Sequence, residues 1–185
     1  MPHRIHITGA SGCGVSTLGA ALAGRLGLAH LDTDSFYWLP TDPPFAEKRP
    51  VEARLALLAE AFAAAAQGWV LSGSLDGWGD PLIPQFDLVV FLQVPAAVRM
   101  ARILARERAR YGAAIEPGGA MRQTSQDFIA WCAGYDAGEQ SGRNLARHLA
   151  WLQRLPCPVL RLDGTAPPAD LAGQVEARLT REATP

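Results

Sequence analysis

Apolar residues change their spacing along the chain in a repeated order, from strand-like runs to helical spacing. The run from Leu88 to Val94 is almost continuously apolar, which is typical of a strand covered on both faces in a parallel sheet. Shorter strand-like runs lie at residues 4–8, 28–31, 69–71 and 158–162, and helical spacing at residues 16–26, at 51–62, after Pro95 and at 171–179. This alternation predicts an α/β fold, a doubly wound parallel five-stranded sheet with ligands beyond the carboxyl ends of its strands.

Two segments depart from this alternation. Residues 39–50 form a proline-rich connection of unusual length, and such loops are often functional. Between residues 111 and 150 the pattern becomes irregular, and Pro117-Gly118-Gly119 is a candidate hinge. Because 185 residues fit one domain, we predict a single domain, 1–185, with a lid-like insertion at approximately 111–150.

The first strand ends in a glycine-rich turn that opens a helix. Residues 9–17 read G-A-S-G-C-G-V-S-T, which fits the phosphate-binding pattern G-x-x-x-x-G-K-[ST] at every defined position except the lysine. The glycines let the backbone close round a polyphosphate, while inward N–H groups and the helix N-terminus supply partial positive charge. Ser16 falls where a hydroxyl would hold Mg²⁺. A glycine-rich turn without a ligand remains the alternative.

Val15 occupies the lysine position of this loop. A lysine there contacts the β- and γ-phosphates and stabilises charge during transfer, so its absence puts catalysis in doubt more than binding. Cys13 is predicted to be a small uncharged filler rather than a reactive thiol. The residues expected to bind the nucleotide through this loop are Gly9, Ser11, Gly12, Cys13, Gly14, Val15, Ser16 and Thr17.

The composition limits which binding partners and which cellular compartment are expected. The 17 basic and 18 acidic residues nearly cancel, so neither nucleic acid nor a membrane surface is an expected partner. Sixteen of the basic residues are arginine, and Lys48 is the single lysine. The three cysteines are widely spaced, which fits neither a disulfide framework nor a zinc site. Without the pattern of a signal peptide or a membrane span, a soluble cytoplasmic protein of undetermined oligomeric state is expected.

The loop and the segment His30-Leu31-Asp32-Thr33-Asp34 resemble the adenylate-kinase-like branch of P-loop kinases. That branch includes shikimate, gluconate and nucleoside monophosphate kinases and adenylate-kinase-related ATPases, and the likeness covers most of the chain. It implies ATP and Mg²⁺ as cofactors. In shikimate-kinase-like enzymes the first carboxylate of this Asp-x-Asp serves Mg²⁺ and the second a substrate hydroxyl. Asp32, with Ser16, is therefore expected to act on the metal and Asp34 on the acceptor, although turn chemistry and helix capping also use such carboxylates.

Arginines recur on one side of the helix that follows Pro95. At about 100° per residue they fall within roughly an 80° arc, and like charges four apart repel, so facing anions or carboxylates would explain them. The four are Arg99, Arg102, Arg106 and Arg110. In the resembling kinases this helix leads into a lid whose arginines neutralise phosphates. The resemblance implies nucleotide binding by Arg102 and catalysis by Arg106 and Arg110, although a solvated face would look the same.

The missing lysine has to be replaced for efficient transfer. Residues 102, 106 and 110 are the first candidates, Arg143 and Arg147 the next, and Lys48 the third. We predict an ATP-binding kinase acting with Mg²⁺ on a small-molecule or nucleotide acceptor. The alternative, favoured by the valine in the loop, is a pseudo-kinase that senses ATP without turning it over. Residues 72–77, where the related kinases place Walker B or substrate-binding groups, fit a solvated turn equally well.

Overall fold

The centre of the computed structural model, which describes residues 3–138 and 141–182, is a parallel sheet. Its strands are β1 (His3–Gly9), β2 (Ala29–Asp32), β3 (Gly68–Ser72), β4 (Leu88–Gln93) and β5 (Val159–Asp163). Their order across the sheet is β2–β3–β1–β4–β5. After β1 the chain forms β2 at one edge and returns to form β3 beside β1, and it then continues with β4 and β5 on the other side of β1. The carboxyl end of β1 therefore lies where the strand order reverses. In open α/β sheets ligands bind at such a point.

Helices cover both faces of this sheet. In chain order they are α1 (Val15–Leu26), α2 (Thr33–Tyr37), α3 (Val51–Ala64), α4 (Ala96–Tyr111), α5 (Arg122–Ala133), α6 (Leu145–Leu152) and α7 (Pro168–Glu182), with 3₁₀ turns at Asp80–Gln85 and Gly112–Ile115. Helices α1 and α7 contribute to one apolar core, and α3 and α6 to the other. Side chains of β4 alternate between the two, with Val90 in the first core and Val89 and Phe91 in the second, as the period of two in a strand requires.

The predicted doubly wound parallel sheet is confirmed, and each predicted strand boundary lies within one residue of the observed one. Helix α2 is absent from the sequence prediction, which has a loop after the second strand. Its presence follows from Asp32, whose carboxylate accepts a hydrogen bond from the backbone N–H of Asp34 at 3.0 Å and so caps the helix. The connection from α2 to α3 is irregular apart from one bridge between Trp38 and Lys48.

The segment predicted as a lid-like insertion contains the end of α4, the second 3₁₀ turn, α5 and most of α6. Residues 139 and 140 lie outside the described residues. Helix α5 is attached to α4 by a buried hydrogen bond, in which the Ser125 hydroxyl donates to the Glu107 carboxylate at 2.8 Å. None of the helices within the described ranges has both the length and the apolar character of a membrane span.

Candidate functional site

The phosphate loop joins β1 to α1, and its glycines serve two purposes. Gly12 and Gly14 adopt φ angles of 82° and 87°, which side chains rarely tolerate. A Cβ on Gly12 would lie 2.7 Å from the backbone oxygen of Arg99, so Gly12 permits close packing against α4. A Cβ on Gly14 would meet only the Nη1 atom of Arg102, at 4.0 Å. The Gly14 side of the loop is therefore open to a ligand.

Two apolar residues of the loop face the protein interior. Val15 is 9% exposed and belongs to the core between the sheet and α1. One of its methyl carbons would lie 3.4 Å from a Cβ added to Gly9, so the valine packs beside the start of the loop. Burial raises the pKa of the Cys13 thiol, an effect that nearby arginine charges oppose. A buried thiol of this kind is typical of a packing residue, and neither side chain offers positive charge to a phosphate.

Asp32 joins the loop to the ends of β2 and β3. Its Oδ2 atom accepts hydrogen bonds from the hydroxyl of Ser16 at 2.5 Å and from that of Ser72 at 3.3 Å. Its Oδ1 atom accepts the capping bond from Asp34. The hydroxyl of Ser72 also lies 2.9 Å from Nε2 of His30. The carboxylate is thus oriented by three donors, and it lies against the hydroxyl that the sequence assigns to Mg²⁺.

Asp34 lies two residues further on, in the first turn of α2. Its side chain is exposed, yet neighbouring groups desolvate its carboxyl. The space between this carboxyl, the phosphate loop and the nearby arginines is called the cleft below. Desolvation by these surroundings, followed by the charge of Asp32, raises the pKa of Asp34. The charges of three arginines act in the opposite direction, those of Arg143, Arg106 and Arg110. The structure therefore brings this carboxyl together with cations from α4 and from the segment before α6.

The four arginines that the sequence places on one side of α4, called the arginine stripe below, do not act as one group. Arg99 is 1% exposed; it donates to the backbone oxygen of Val94 and pairs with Asp136 at 2.5 Å. Arg102 reaches back to the phosphate loop, where its Nη1 donates to the backbone oxygens of Gly12 at 3.3 Å and Gly164 at 3.1 Å.

The last two arginines of the stripe contact aromatic rings. The guanidinium of Arg106 lies 5.8 Å from the ring centre of Phe128, and that of Arg110 lies 4.9 Å from the ring centre of Phe45. The stripe thus divides into a buried ion pair, a contact to the phosphate loop, and two exposed cations beside Asp34.

The remaining candidates to replace the loop lysine also have different partners. Arg143 donates from Nη2 to the hydroxyl of Ser11, inside the phosphate loop, at 2.8 Å. Arg147 pairs with Asp76 at 3.1 Å, which connects the turn after β3 to α6. Lys48 lies in the bridge to Trp38 with its ammonium group 5.9 Å from the ring centre of Tyr37.

One buried cation has a role that the sequence does not predict. Arg54 of α3 is 6% exposed and lies 3.8 Å from the ring centre of Tyr37 and 5.4 Å from that of Trp78. Its Nε atom donates to the backbone oxygen of Arg49 at 2.6 Å. Arg54 therefore braces α2 against α3 and the turn after β3. A single arginine within an alanine-rich helix carries no signal of such a role, because its partners come from distant segments.

This is a P-loop protein with the architecture of small-molecule kinases, as the sheet order, the phosphate loop and the adjoining carboxylates show. Two solved structures share it. The structural match with a gluconokinase from Sinorhizobium meliloti 1021 covers 98% of this chain and 94% of that chain, with a TM-score of 0.54 at 20% identity. The structural match with a shikimate kinase from Acinetobacter baumannii in complex with shikimate covers 100% of this chain and 97% of that chain, with a TM-score of 0.62 at 14% identity. At these identities the likeness concerns the fold alone.

Sequence comparison identifies the family. The AAA domain family matches residues 5–117, more than half of the chain, and the protein therefore belongs to it. The chain is also 45% identical over 163 residues to the uncharacterized protein YqaC of Bacillus subtilis (strain 168). That alignment covers 88% of this chain and 89% of the relative.

Proposed function

We propose that the protein is a phosphotransferase that uses ATP and Mg²⁺ to phosphorylate a small-molecule or nucleotide acceptor. The observation that carries this proposal is the convergence of three groups at one edge of the sheet. These are the open side of the phosphate loop at Gly14, the hydrogen-bonded pair of Ser16 and Asp32, and the carboxyl of Asp34 in the adjoining cleft. A protein that only binds a nucleotide has no need of the third group.

The residues present fit a nucleoside triphosphate with Mg²⁺. Oxygen donors suit this cation, which keeps several of its waters, and the Ser16 hydroxyl and the Asp32 carboxylate are such donors. When bound, Mg²⁺ neutralises charge on the β- and γ-phosphates. Arg102 holds the outer side of the loop through its bonds to Gly12 and Gly164. We assign nucleotide contacts to it and to the backbone of residues 9–17.

Asp34 is the proposed general base. In the reaction the acceptor oxygen forms a bond to the γ-phosphorus, the bond from this phosphorus to the bridging oxygen breaks, and ADP leaves. The proton of the acceptor hydroxyl passes to the Asp34 carboxylate. A carboxyl with a raised pKa is a better base for this purpose than an ordinary one. Arg106 and Arg110 are the proposed cations of the acceptor side, where their charges favour the ionised form of this carboxyl.

An inactive nucleotide sensor is the second candidate function. The observation that favours it is Val15, which packs into the core and leaves the loop without the cation that contacts the β- and γ-phosphates. In a sensor, Asp32 would keep its hydrogen bonds and Asp34 would have no proton to accept. The two candidates therefore differ in turnover and not in nucleotide binding.

The cytoplasm is the compartment that the proposal requires, because ATP is available there. Cys13 and Cys132 are buried free thiols, a state that suits a reducing compartment.

A thermal-shift screen identifies the acceptor class. The purified protein would be melted with ATP and Mg²⁺, alone and with nucleosides, nucleoside monophosphates or sugar acids. A ligand that binds the native state raises the melting temperature by mass action, so we expect a rise with ATP and a further rise with the acceptor. Acceptors found in this way would then be tested for ADP formation. Firm ATP binding without ADP formation across the panel would favour the sensor.

A further inference from the structure

Arg143 contacts the phosphate loop but forms no ion pair with a carboxylate of the described residues. Its Nη2 atom donates to the hydroxyl of Ser11 at 2.8 Å, and Ser11 belongs to the loop itself. Among the described residues no carboxylate forms an ion pair with Arg143. A neutral hydroxyl does not itself balance the positive charge, which is unfavourable for a largely desolvated cation.

The guanidinium is held in place by its surroundings. It lies 5.2 Å from the ring centre of Trp131, and its Nε atom is fully buried without a hydrogen-bond partner among the described residues. Burial lowers the pKa of Arg143, whereas Tyr135, Cys132 and Asp34 act in the opposite direction. A buried cation with an unpaired N–H group can gain both a counter-charge and a hydrogen bond from an anionic ligand.

Local backbone structure fixes the approach of Arg143 to the loop. Asn144 caps α6 by accepting a hydrogen bond from the backbone N–H of Arg147 at 2.9 Å. The backbone N–H of Leu145 donates to the oxygen of Tyr135 at 3.0 Å. Arg143 therefore precedes a capped helix that is tied to the segment after α5, so its side chain is positioned before any ligand arrives.

The other cations around the cleft have different partners. Their contacts are Arg99 with Asp136, Arg102 with the oxygens of Gly12 and Gly164, Arg106 with Phe128, Arg110 with Phe45, and Arg147 with Asp76. Arg143 combines a side-chain contact to the loop with the largest effect of any arginine on the pKa of Asp34. It lies between the nucleotide side and the acceptor side of the proposed reaction.

We infer that Arg143 replaces the missing loop lysine, exchanging its hydrogen bond to Ser11 for contacts to the γ-phosphate of ATP. This inference rests on the proposed function. The positive charge is supplied by a side chain of the segment before α6, which reaches across the loop. A loop lysine would supply it from position 15. As a catalytic residue Arg143 would stabilise the charge of the moving phosphoryl group without exchanging a proton with it, and arginines in that role are worth about 10³ to 10⁵ in turnover.

The test compares Arg143→Ala and Arg143→Gln with the wild type by calorimetry, using ATP with Mg²⁺ and ADP with Mg²⁺. A lost contact to the γ-phosphate should weaken ATP binding by about tenfold or more and leave ADP binding nearly unchanged. The glutamine amide ends two bonds short of the Nη2 position, so both variants lose the charge and the bond to Ser11. A purely structural role therefore predicts a lower melting temperature with equal changes in ATP and ADP affinity. Arg154→Ala removes an exposed arginine paired with Asp80 and is the control, with both affinities unchanged.

A second comparison uses Val15→Lys, alone and combined with Arg143→Ala. The lysine should restore part of the ATP preference and part of the turnover lost in Arg143→Ala. Arg143 variants that bind ATP in preference to ADP as strongly as the wild type would overturn the inference. If the wild type transfers no phosphate to any acceptor, the proposed function fails, yet the difference between ATP and ADP still decides whether Arg143 meets the γ-phosphate.

Discussion

The two sides of the cleft are built by different interactions. On its floor, which comprises residues 9–17 with Asp32 and Ser72, hydroxyl groups and a carboxylate are connected by hydrogen bonds as short as 2.5 Å. On its outer wall, which comprises residues 39–50 and 106–111, Arg110 contacts the aromatic rings of Phe45 and Tyr111, at 4.9 and 5.9 Å from the ring centres. Hydrogen bonds of ionised groups demand a defined geometry, whereas cation–π contacts at exposed sites are weaker. The floor is therefore preorganised for one ligand, and the wall can adapt to the acceptor.

Replacing Gly14 by valine should cause the largest loss, because it changes the floor. The new side chain would occupy the open side of the loop and would have to adopt a positive φ angle, at a cost of about 1 to 3 kcal/mol. We expect ATP affinity, measured by calorimetry, to fall by at least about 100-fold, since several charge-assisted hydrogen bonds are lost.

Gly27→Val is the matched control for this variant. Gly27 also has a positive φ angle, of 67°, and open space beside it, but it ends α1, about 18 Å from the loop by the rise of a helix. Its variant should lose stability and keep ATP affinity. Equal losses of affinity in the two variants would show that strain in the fold, and not the loop surface, governs binding.

Asp34→Asn should have the next largest effect, confined to turnover. Removing a general base lowers kcat by about 10² to 10⁴, while ATP affinity should change little. Wild-type turnover should fall as the pH decreases through the raised pKa of Asp34, because the protonated carboxyl cannot accept a proton. The variant should lose this acid limb, as seen in the dependence of kcat on pH.

Asp32→Asn provides the comparison within the floor. The single remaining side-chain oxygen can keep the cap of α2, but a carboxylate oxygen that accepts from Ser16 and Ser72 is lost. We expect half-maximal activity to require more Mg²⁺. If both variants kept wild-type kinetics and changed only in melting temperature, both carboxylates would have structural roles alone.

The raised pKa of Asp34 also has a consequence for stability, measured by thermal melts. The native protein binds the Asp34 proton more tightly than the unfolded chain does. The charged carboxylate therefore lowers stability at pH values above its native pKa. Asp34→Asn should melt at a higher temperature than the wild type near neutral pH, and the difference should disappear at pH values below the unfolded pKa. A variant that melts lower at neutral pH would contradict the assigned direction.

Arg106→Ala should have the smallest effect, because Arg106 belongs to the adaptable wall. Its charge opposes the rise in the pKa of Asp34, so its removal should move the acid limb of the pH profile to higher pH. Salt screens exposed charges, and the displacement should decrease at high ionic strength. Arg108, exposed on the same helix, is not among the main influences on the pKa of Asp34, and Arg108→Ala should move the limb less than Arg106→Ala does. A displacement to lower pH would contradict the proposed placement of charge.

The sheet could be predicted from the sequence because its information is local. The continuous apolar run of β4 and the glycine loop after β1 each lie within one short segment. Helix α2 escaped prediction because it has five residues and depends on a single cap from Asp32. Short helices carry too few residues for a periodic pattern to be visible.

The candidate site was predictable only in part for the same reason. Helical spacing places four arginines of α4 on one side, but it cannot show that Arg99 is buried against Asp136 while Arg110 contacts Phe45. The contact of Arg143 with Ser11 joins residues 132 positions apart. Only the packing of α5 and α6 beside the loop creates that contact, and no local pattern reports it.

Transfer of the γ-phosphate is the measurement that tests the proposed function most directly. ATP labelled in its γ-phosphate would be incubated with Mg²⁺, the wild type or Asp34→Asn, and each acceptor identified by thermal shift. The account predicts that the label moves to an acceptor with the wild type and that transfer is about 10² to 10⁴ slower with Asp34→Asn. Tight ATP binding with all of the label remaining in ATP across the panel, or transfer at the same rate by both proteins, would contradict it.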